Sequence, residues 1–308
     1  MSRIRAAVIG TGYLGRFHAL KYAAMDDVEL VGVVDIDPAR AEEVAREASC
    51  EPYTNCDDLP GGIDAVSIAV PTTAHAEVAI PFLRRGVSVL LEKPISARID
   101  EARTIIEAAE QGGAKLQIGH LERFNPALTK LAGSIRKPMF IEAHRISPFK
   151  ARGTDVDVVI DLMIHDIDII LTLVDSPIES MEAVGVPVLT DTVDIANARI
   201  RFASGCIANL TASRVSAETM RKIRMFQSNA YLSIDFAKAA VDVYTLDENR
   251  RIGHRHLAMS ESDALAAEIR SFIDAVKGLS EVKVDGIAGL RAIETALAIK
   301  DSMIIPER

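Results

Sequence analysis

The 308 residues include no tryptophan, only 5% are aromatic, and cysteine occurs three times. Without aromatic stacking platforms the chain is a poor candidate for binding single-stranded nucleic acid. Basic residues are also in deficit, 35 Lys and Arg against 44 Asp and Glu, for a formal net charge of −9. They are interspersed with carboxylates and form no basic run, which excludes the cationic footprint of a duplex binder. Cys50, Cys56 and Cys206 are odd in number and form no C-x-x-C pair. Neither a disulfide framework nor a zinc knuckle is indicated, and a reducing cytoplasm is the expected compartment. No stretch approaches the roughly 20 apolar residues that span a bilayer, so no membrane partner is expected. After Met1-Ser2-Arg3-Ile4-Arg5 the apolar run is short and leads into a glycine-rich turn, unlike a secretory signal.

Apolar content, in contrast, is ample at 49%, and at about 150 residues per domain the length predicts two domains. Residues 4–9, 28–34, 63–70, 87–91 and 115–118 are short β-branched runs, apolar along most of their length, as in a parallel sheet covered on both faces. Helical spacing fills 13–25, 38–48, 74–86 and 100–111, with Pro38 and Gly86 as start and stop signals. This alternation predicts a doubly wound α/β domain over 1–120. Beyond it, strand patterns follow one another near 138–146, 180–188, 193–202, 205–213, 221–228, 230–236 and 240–246. They predict a C-terminal α+β domain over 121–308 with a mainly antiparallel open sheet. A strongly apolar helix over 158–174 interrupts the strands, and amphipathic helices near 262–278 and 287–304 close the chain.

The first strand runs into Gly10-Thr11-Gly12-Tyr13-Leu14-Gly15, a G-x-G-x-x-G loop before a predicted helix. The first glycine suits a tight turn, the second close approach of a pyrophosphate, and the third close packing of helix on strand. Asp35 ends the second strand 20 residues after Gly15, where a carboxylate accepts hydrogen bonds from a ribose. Together these residues predict dinucleotide binding; a glycine turn that only packs is the plainer alternative. A carboxylate at Asp35 repels a 2′-phosphate and favours NAD, while Arg40 nearby leaves NADP open.

Ligands on doubly wound sheets lie beyond the carboxyl ends of the strands. Two such ends carry Pro71-Thr72-Thr73-Ala74-His75 and Glu92-Lys93-Pro94. A lysine there is a candidate for relaying a proton or orienting an alcohol, against the alternative of a surface cation paired with Glu92. On the apolar helix, Asp161, His165 and Asp168 are spaced i, i+4, i+7 and predict one polar stripe, with Asp166 off it. Three readings stand: a self-satisfied core network, a metal site, or a catalytic base in which Asp161 orients His165.

In this order, the glycine loop, the acidic strand end, Pro-x-x-x-His, Glu-Lys-Pro and Asp-x-x-x-His-x-x-Asp resemble the Gfo/Idh/MocA oxidoreductases over essentially the whole chain. The resemblance implies a Rossmann domain followed by a domain whose open sheet commonly mediates oligomerisation, as a homodimer or homotetramer. It implies that Lys93, Asp161 and His165 are the catalytic Lys, Asp and His, and that Pro71, Thr72, His75, Glu92 and Lys93 join Gly10, Thr11, Gly12, Tyr13, Leu14, Gly15 and Asp35 around the cofactor. Two departures are Met163, where the family often has Gly, and Thr72, where Asn is common.

Within the family, the run 153–168 with Gly119-His120-Leu121-Glu122-Arg123-Phe124-Asn125-Pro126 looks like the branch that includes bacterial UDP-N-acetylglucosamine 3-dehydrogenases. That likeness implies oxidation of a nucleotide-sugar 3-hydroxyl to a ketone, which an aminotransferase then converts to an amine for lipid A synthesis. Free sugars, inositols and related polyols are the alternative substrates, and a non-enzymatic NAD-binding regulator is a further one. A nucleotide diphosphate needs cationic partners, and Arg123, Lys150, Arg152 and Arg214 are the candidates, with Asn125 a sugar-hydroxyl ligand or a turn cap.

Overall fold

The structure, a computed structural model, describes residues 3–131, 133–149, 156–259 and 263–306. It divides into two compact units, one made of residues up to Leu121 together with Asp263–Ile293, the other of Glu122–Ser262 together with the residues from Glu294 on.

The first unit opens with β1 (Ile4–Ile9), α1 (Tyr13–Ala23), β2 (Val28–Val34), α2 (Pro38–Ala48) and β3 (Glu51–Tyr53). It continues with β4 (Ala65–Ile68), α3 (His75–Arg84), β5 (Ser88–Glu92), α4 (Ile99–Gly112) and β6 (Leu116–Gly119). The six strands lie in the order β3-β2-β1-β4-β5-β6, all parallel. Every residue of β4, β5 and β6 is buried, as expected for strands covered on both faces. The order reverses between β1 and β4, so the loops after these two strands splay apart and leave a crevice at their carboxyl ends. α2 begins where the sequence signals it: Asp37 caps the helix by accepting from the Ala39 and Arg40 amides, and Pro38 takes the first helical position.

The second unit contains α5 (Pro126–Leu131), β7 (Phe140–Ile146), a π-helical turn over Val159–Met163 that leads into α6 (Ile164–Val174), and β8 (Ile178–Val186). Then come β9 (Ile195–Phe202), β10 (Ile207–Ser213), β11 (Met220–Phe226), β12 (Ala230–Asp235), β13 (Ala240–Leu246) and β14 (Ile252–Ala258). With the terminal β15 (Met303–Ile304) they form a nine-stranded sheet in the order β14-β13-β12-β11-β7-β10-β9-β8-β15. The sheet is mixed: β10 runs parallel to β7 and β15 parallel to β8, while the other pairs are antiparallel. The parallel pair arises because the chain leaves β7 through α6 and returns by way of β8 and β9 to lay β10 beside it. α6 lies against β7 and β10.

The sequence pattern predicts one uninterrupted second domain after residue 120, but the chain passes between units at Leu121 and Glu122 and later returns. The returning helix, α7 (Ala264–Val276), places Ile269, Phe272 and Ile273 in the core that holds Ala6, Val8, Tyr22, Val33 and Leu90. Burying such side chains contributes about 1.5–3 kcal/mol each. Asp27 adds polar attachment by accepting from Arg270 at 2.9 Å and from Lys277. The last helix, α8 (Gly286–Asp301), has its residues through Ile293 in the first unit and the rest in the second. No described helix is long and apolar enough to cross a membrane.

Candidate active site

Gly10 sits at φ +85°, and a Cβ there would meet the Ala69 carbonyl oxygen at 2.7 Å. A Cβ on Gly15 would lie 1.7 Å from the Gly10 carbonyl oxygen, so the start of α1 packs directly on the loop. At Gly12 a Cβ would meet nothing within 4 Å. This middle glycine is the helix N-cap, with no side-chain cap and no acidic residue in the first turn, while Tyr13 and Leu14 are exposed. Open space in front of uncapped amides suits an anion, as the pyrophosphate of a dinucleotide requires. Asp35 completes the cradle from the end of β2. One of its oxygens, Oδ2, accepts from the Thr11 amide at 2.8 Å and the Thr11 hydroxyl at 2.9 Å, while Oδ1 accepts from the Asp37 amide at 3.0 Å. Burial works against the Asp35 charge, but the bonds from Asp37 and Thr11 and the nearby Arg40 outweigh it and hold its pKa below the usual value. Arg40 itself is engaged, 3.7 Å from Asp35 and 3.4 Å from Asp37.

At the ends of β4 and β5, Pro71 and Thr72 open a short 3-10 turn and His75 begins α3. His75 is 1% exposed, and its ring nitrogens face the Pro94 carbonyl at 2.9 Å and the Val70 carbonyl at 3.1 Å. Lys93 follows β5 directly and is half-buried. Glu92 is buried beneath it, with Oε1 3.1 Å from His18 Nε2 on α1. Burial opposes the Glu92 charge, but His18 and Lys93 hold its pKa below the ordinary value. Close by in charge terms lies Glu268 of α7, fully buried. Neither of its carboxylate oxygens has a hydrogen-bond partner among the described residues, and burial, reinforced by Glu92, pushes its pKa well up. The Glu268 carboxyl therefore holds its proton more tightly than a free carboxyl does. His18 and Glu268 are absent from the sequence-predicted site, although a histidine three residues after Gly15 on a helix facing the sheet is a visible signal for the first.

In the second unit the predicted single helix over 158–174 is broken in kind. The π turn holds Asp161, and His165 stands one residue into α6. A π turn takes an extra residue per turn, so side chains before it shift around the axis relative to those after it. Asp161 and His165 are half-buried, while Asp168, one turn after His165 on α6, is 2% exposed and pairs with Arg123, Oδ2 to Nε, at 3.5 Å. Asp166 faces β7, where it accepts two bonds from Arg145 at 2.8 and 3.0 Å; Arg145 also donates to Glu122 at 3.0 Å. Burial disfavours the Arg145 charge, but Asp166 and Glu122 more than offset this and raise its pKa. Asp157 accepts from the Val159 amide at 2.8 Å at the start of the π turn. Among the described residues no group of three or more His, Cys, Asp or Glu side chains is arranged to hold a metal ion.

The expected polar and cationic ligands have these partners. Arg214 is 6% exposed and donates to Asp194 at 2.8 Å, to the Val156 carbonyl at 2.7 Å and to the Thr190 and Thr192 hydroxyls. Asp194 also gathers the Val188, Leu189 and Thr190 amides, so this pair fixes the loop between β8 and β9. Arg123 is committed to Asp168 and to the Thr172 hydroxyl. Asn125 serves as a cap, accepting from the Ala127 amide at 3.0 Å at the start of α5. Lys150 and Arg152 lie outside the described residues.

Comparison with known proteins extends this picture. Residues 4–120 match the oxidoreductase family described as GFO/IDH/MocA with an NAD-binding Rossmann fold, and residues 133–233 match the GFO/IDH/MocA C-terminal domain. The chain is 40% identical over 306 residues to UDP-N-acetylglucosamine 3-dehydrogenase of Acidithiobacillus ferrooxidans, covering 97% of each. Identity to the NAD-dependent scyllo-inositol 2-dehydrogenase of Bacillus subtilis is 32% over 236 residues, 70% of this chain and 68% of that one. Among solved structures, the Acidithiobacillus enzyme superposes with a TM-score of 0.93 over 98% of both chains. A scyllo-inositol dehydrogenase from Lactobacillus casei with bound NAD(H) and scyllo-inositol shares the fold, with a TM-score of 0.83 at 21% identity over 98% of this chain and 97% of that one.

Proposed function

This chain belongs to the GFO/IDH/MocA oxidoreductase family, and from that premise we propose that it oxidises the 3-hydroxyl of UDP-N-acetylglucosamine to a ketone, with NAD as the hydride acceptor. The observation that carries the choice of substrate is the end-to-end likeness to the Acidithiobacillus enzyme, longer and closer than the likeness to the Bacillus inositol dehydrogenase. The product would be a 3-keto sugar nucleotide, the class of compound that a transaminase converts to an amine for lipid A. NAD is favoured over NADP because Asp35 points a charged carboxylate at the ribose position and Arg40 is already occupied by Asp35 and Asp37.

When bound, NAD supplies the hydride acceptor, and the protein supplies geometry and proton handling. Gly12 and the first amides of α1 hold the pyrophosphate, and Asp35 the adenosine ribose, with Thr11 keeping its carboxylate in place. Pro71 and Thr72 line the approach to the nicotinamide. Lys93 donates a hydrogen bond to the substrate oxygen, His165 takes the hydroxyl proton as general base, and Asp161 orients the imidazole.

A second reading, oxidation of a free polyol such as an inositol, has its own support. Arg123 and Arg214, two of the cations expected to meet a diphosphate, are engaged by Asp168 and Asp194. Absorbance at the NADH band separates the two when the protein and NAD are mixed with UDP-N-acetylglucosamine, myo-inositol or scyllo-inositol. Signal with the nucleotide sugar alone is the expected result, and signal with the inositols alone contradicts it.

The proposal extends to assembly and compartment. The sheet face turned away from α6 carries a row of rings, Phe140, Phe226, Tyr231, Tyr244 and His254, with neighbouring centroids 4.2–5.7 Å apart. Beside the row lie the pairs Glu142–Arg224 at 2.8 Å and Asp242–His254 at 2.9 Å. A face with apolar rings and both signs of charge suits a second copy of itself in a homodimer or homotetramer; a monomer in sedimentation velocity contradicts this. Three free cysteines suit a reducing cytoplasm.

A further inference from the structure

We propose that His75 is a positioning residue for Lys93: its buried imidazole holds the Pro94 carbonyl, and with it the backbone that presents the lysine amine. The proposal rests on the reading of Lys93 as the group that meets the substrate oxygen, and gives His75 a mounting role in place of the expected place around the cofactor.

The contacts of the ring define the role. Nδ1 lies 2.9 Å from the Pro94 carbonyl oxygen and 3.4 Å from that of Ile95, and Nε2 lies 3.1 Å from that of Val70. Carbonyl oxygens only accept, so the ring acts here as a donor: a neutral imidazole serves one side, and an imidazolium serves both. The proposal assigns the proton to Nδ1, the nitrogen with the shorter contact. With 1% of the residue exposed, the ring has almost no surface left for a ligand. It spans instead from the end of β4 to the residues that follow β5. Burial draws the His75 pKa below the ordinary imidazole value, with the three carbonyls and Glu92 acting in the opposite direction.

The other side of Lys93 is held as well. Its amide donates to Glu92 Oε2 at 3.3 Å, and Glu92 Oε1 is fixed by His18 at 3.1 Å. A Cβ on Gly119 would come within 3.0 Å of Glu92 Oε2, so the bare glycine in β6 makes room for that carboxylate. The residue before Lys93 is thus tied to α1 through His18, and the residue after it to β4 and α3 through His75. A lysine has a long flexible stem, and fixing its backbone limits where the amine reaches. Misplacing a reacting group by about 1 Å costs on the order of 100-fold in rate.

Two magnetic resonance measurements, which need no substrate, test the proposal, and turnover accompanies the second. In the wild-type protein carrying 15N-histidine, the ring nitrogens of His75, identified by their absence from His75→Asn, report where the proton resides. A proton on Nδ1, alone or with one on Nε2, is expected, and a neutral ring protonated only on Nε2 overturns the proposal. Because this reading uses the native chain, it stands even where a substitution impairs folding; in that event the His75 ring is assigned by sequence-specific backbone correlation. In the second measurement, reductive methylation with 13C-formaldehyde labels the lysine amines, and the Lys93 signal is the one missing from Lys93→Arg. An asparagine amide reaches near the Nδ1 position and a glutamine amide near Nε2. The Lys93 signal is expected to move in His75→Gln and to return towards its wild-type position in His75→Asn, with turnover following it, lost by about 100-fold in the first and largely restored in the second. A Lys93 signal that is unmoved in both, or moved equally in both, overturns the positioning role. Lys93→Met judges the underlying reading separately: retained turnover there removes Lys93 from catalysis and leaves the two magnetic resonance results to decide the mount on its own.

Discussion

Thr11 and Asp35 are joined by two hydrogen bonds to a single carboxylate oxygen, one from the Thr11 amide at 2.8 Å and one from its hydroxyl at 2.9 Å. The glycine loop therefore also fixes the direction of the carboxylate. Asp35→Ser removes a charged acceptor from the proposed ribose site, and bonds to charged groups contribute about 1.5–3 kcal/mol. NAD affinity, read from NADH fluorescence in a chain without tryptophan, is expected to fall by roughly 10–100-fold. The preference over NADP should narrow, since Arg40 loses one of its carboxylate partners. Unchanged NAD affinity contradicts the assignment.

Glu268 makes stability depend on pH with a definite sign. Its pKa is raised by burial and by Glu92, so the folded state binds this proton more tightly than the unfolded chain. The stabilisation is complete below the unfolded value, about pH 4.3, and is lost as pH rises through the raised folded value. Glu268→Gln removes that dependence. In urea unfolding the variant is expected to gain on the wild type as pH rises from about 4.5 to 8.5. Parallel pH profiles for the two proteins contradict a raised pKa at Glu268.

Arg214 and Asp194 form a buried pair that organises the loop between β8 and β9. Burial opposes the Asp194 charge, but Arg214 and the amides of Leu189 and Thr190 hold its pKa below the usual carboxylate range. Arg214→Ala leaves that charge without its cation, a change that costs about 3–5 kcal/mol. The expected result is a large fall in denaturant midpoint with KM for the nucleotide sugar little altered in the folded fraction. Intact stability with a raised KM returns Arg214 to the substrate site.

His165→Ala tests the proposed base. Turnover is expected to fall by roughly 10²–10⁴-fold with NAD affinity kept, because the imidazole acts on the hydroxyl proton. Turnover equal to the wild type removes His165 from the chemistry.

The parallel sheet was legible because β1, β2, β4, β5 and β6 are apolar along most of their length, and the cofactor loop because its glycines have distinct steric duties. β3, three residues long, is too short for any period to show. β14 reads Ile-Gly-His-Arg-His-Leu-Ala, an exposed strand at the sheet edge whose charged and polar side chains mask the pattern while guarding the edge. Uniform 3.6-residue turns over 158–174 do not reveal the π turn at Val159–Met163, which holds Asp161 while His165 and Asp168 stay together on α6. Arg214 and Arg123 read as available cations because their partners, Asp194 and Asp168, are brought to them only by the tertiary fold. Glu268 follows the same logic: one carboxylate on an amphipathic helix has the composition of a solvent-facing residue, and only the docking of α7 into the first unit buries it.

Hydride transfer from a defined carbon is the central claim, and isotope transfer tests it most directly. UDP-N-acetylglucosamine carrying deuterium at C3 is incubated with the protein and NAD, and the reduced cofactor is weighed by mass spectrometry. Reduced cofactor one mass unit heavier than that formed from unlabelled sugar is the predicted result. Reduced cofactor without deuterium, or formed only from a free polyol, contradicts oxidation at the 3-hydroxyl of the nucleotide sugar.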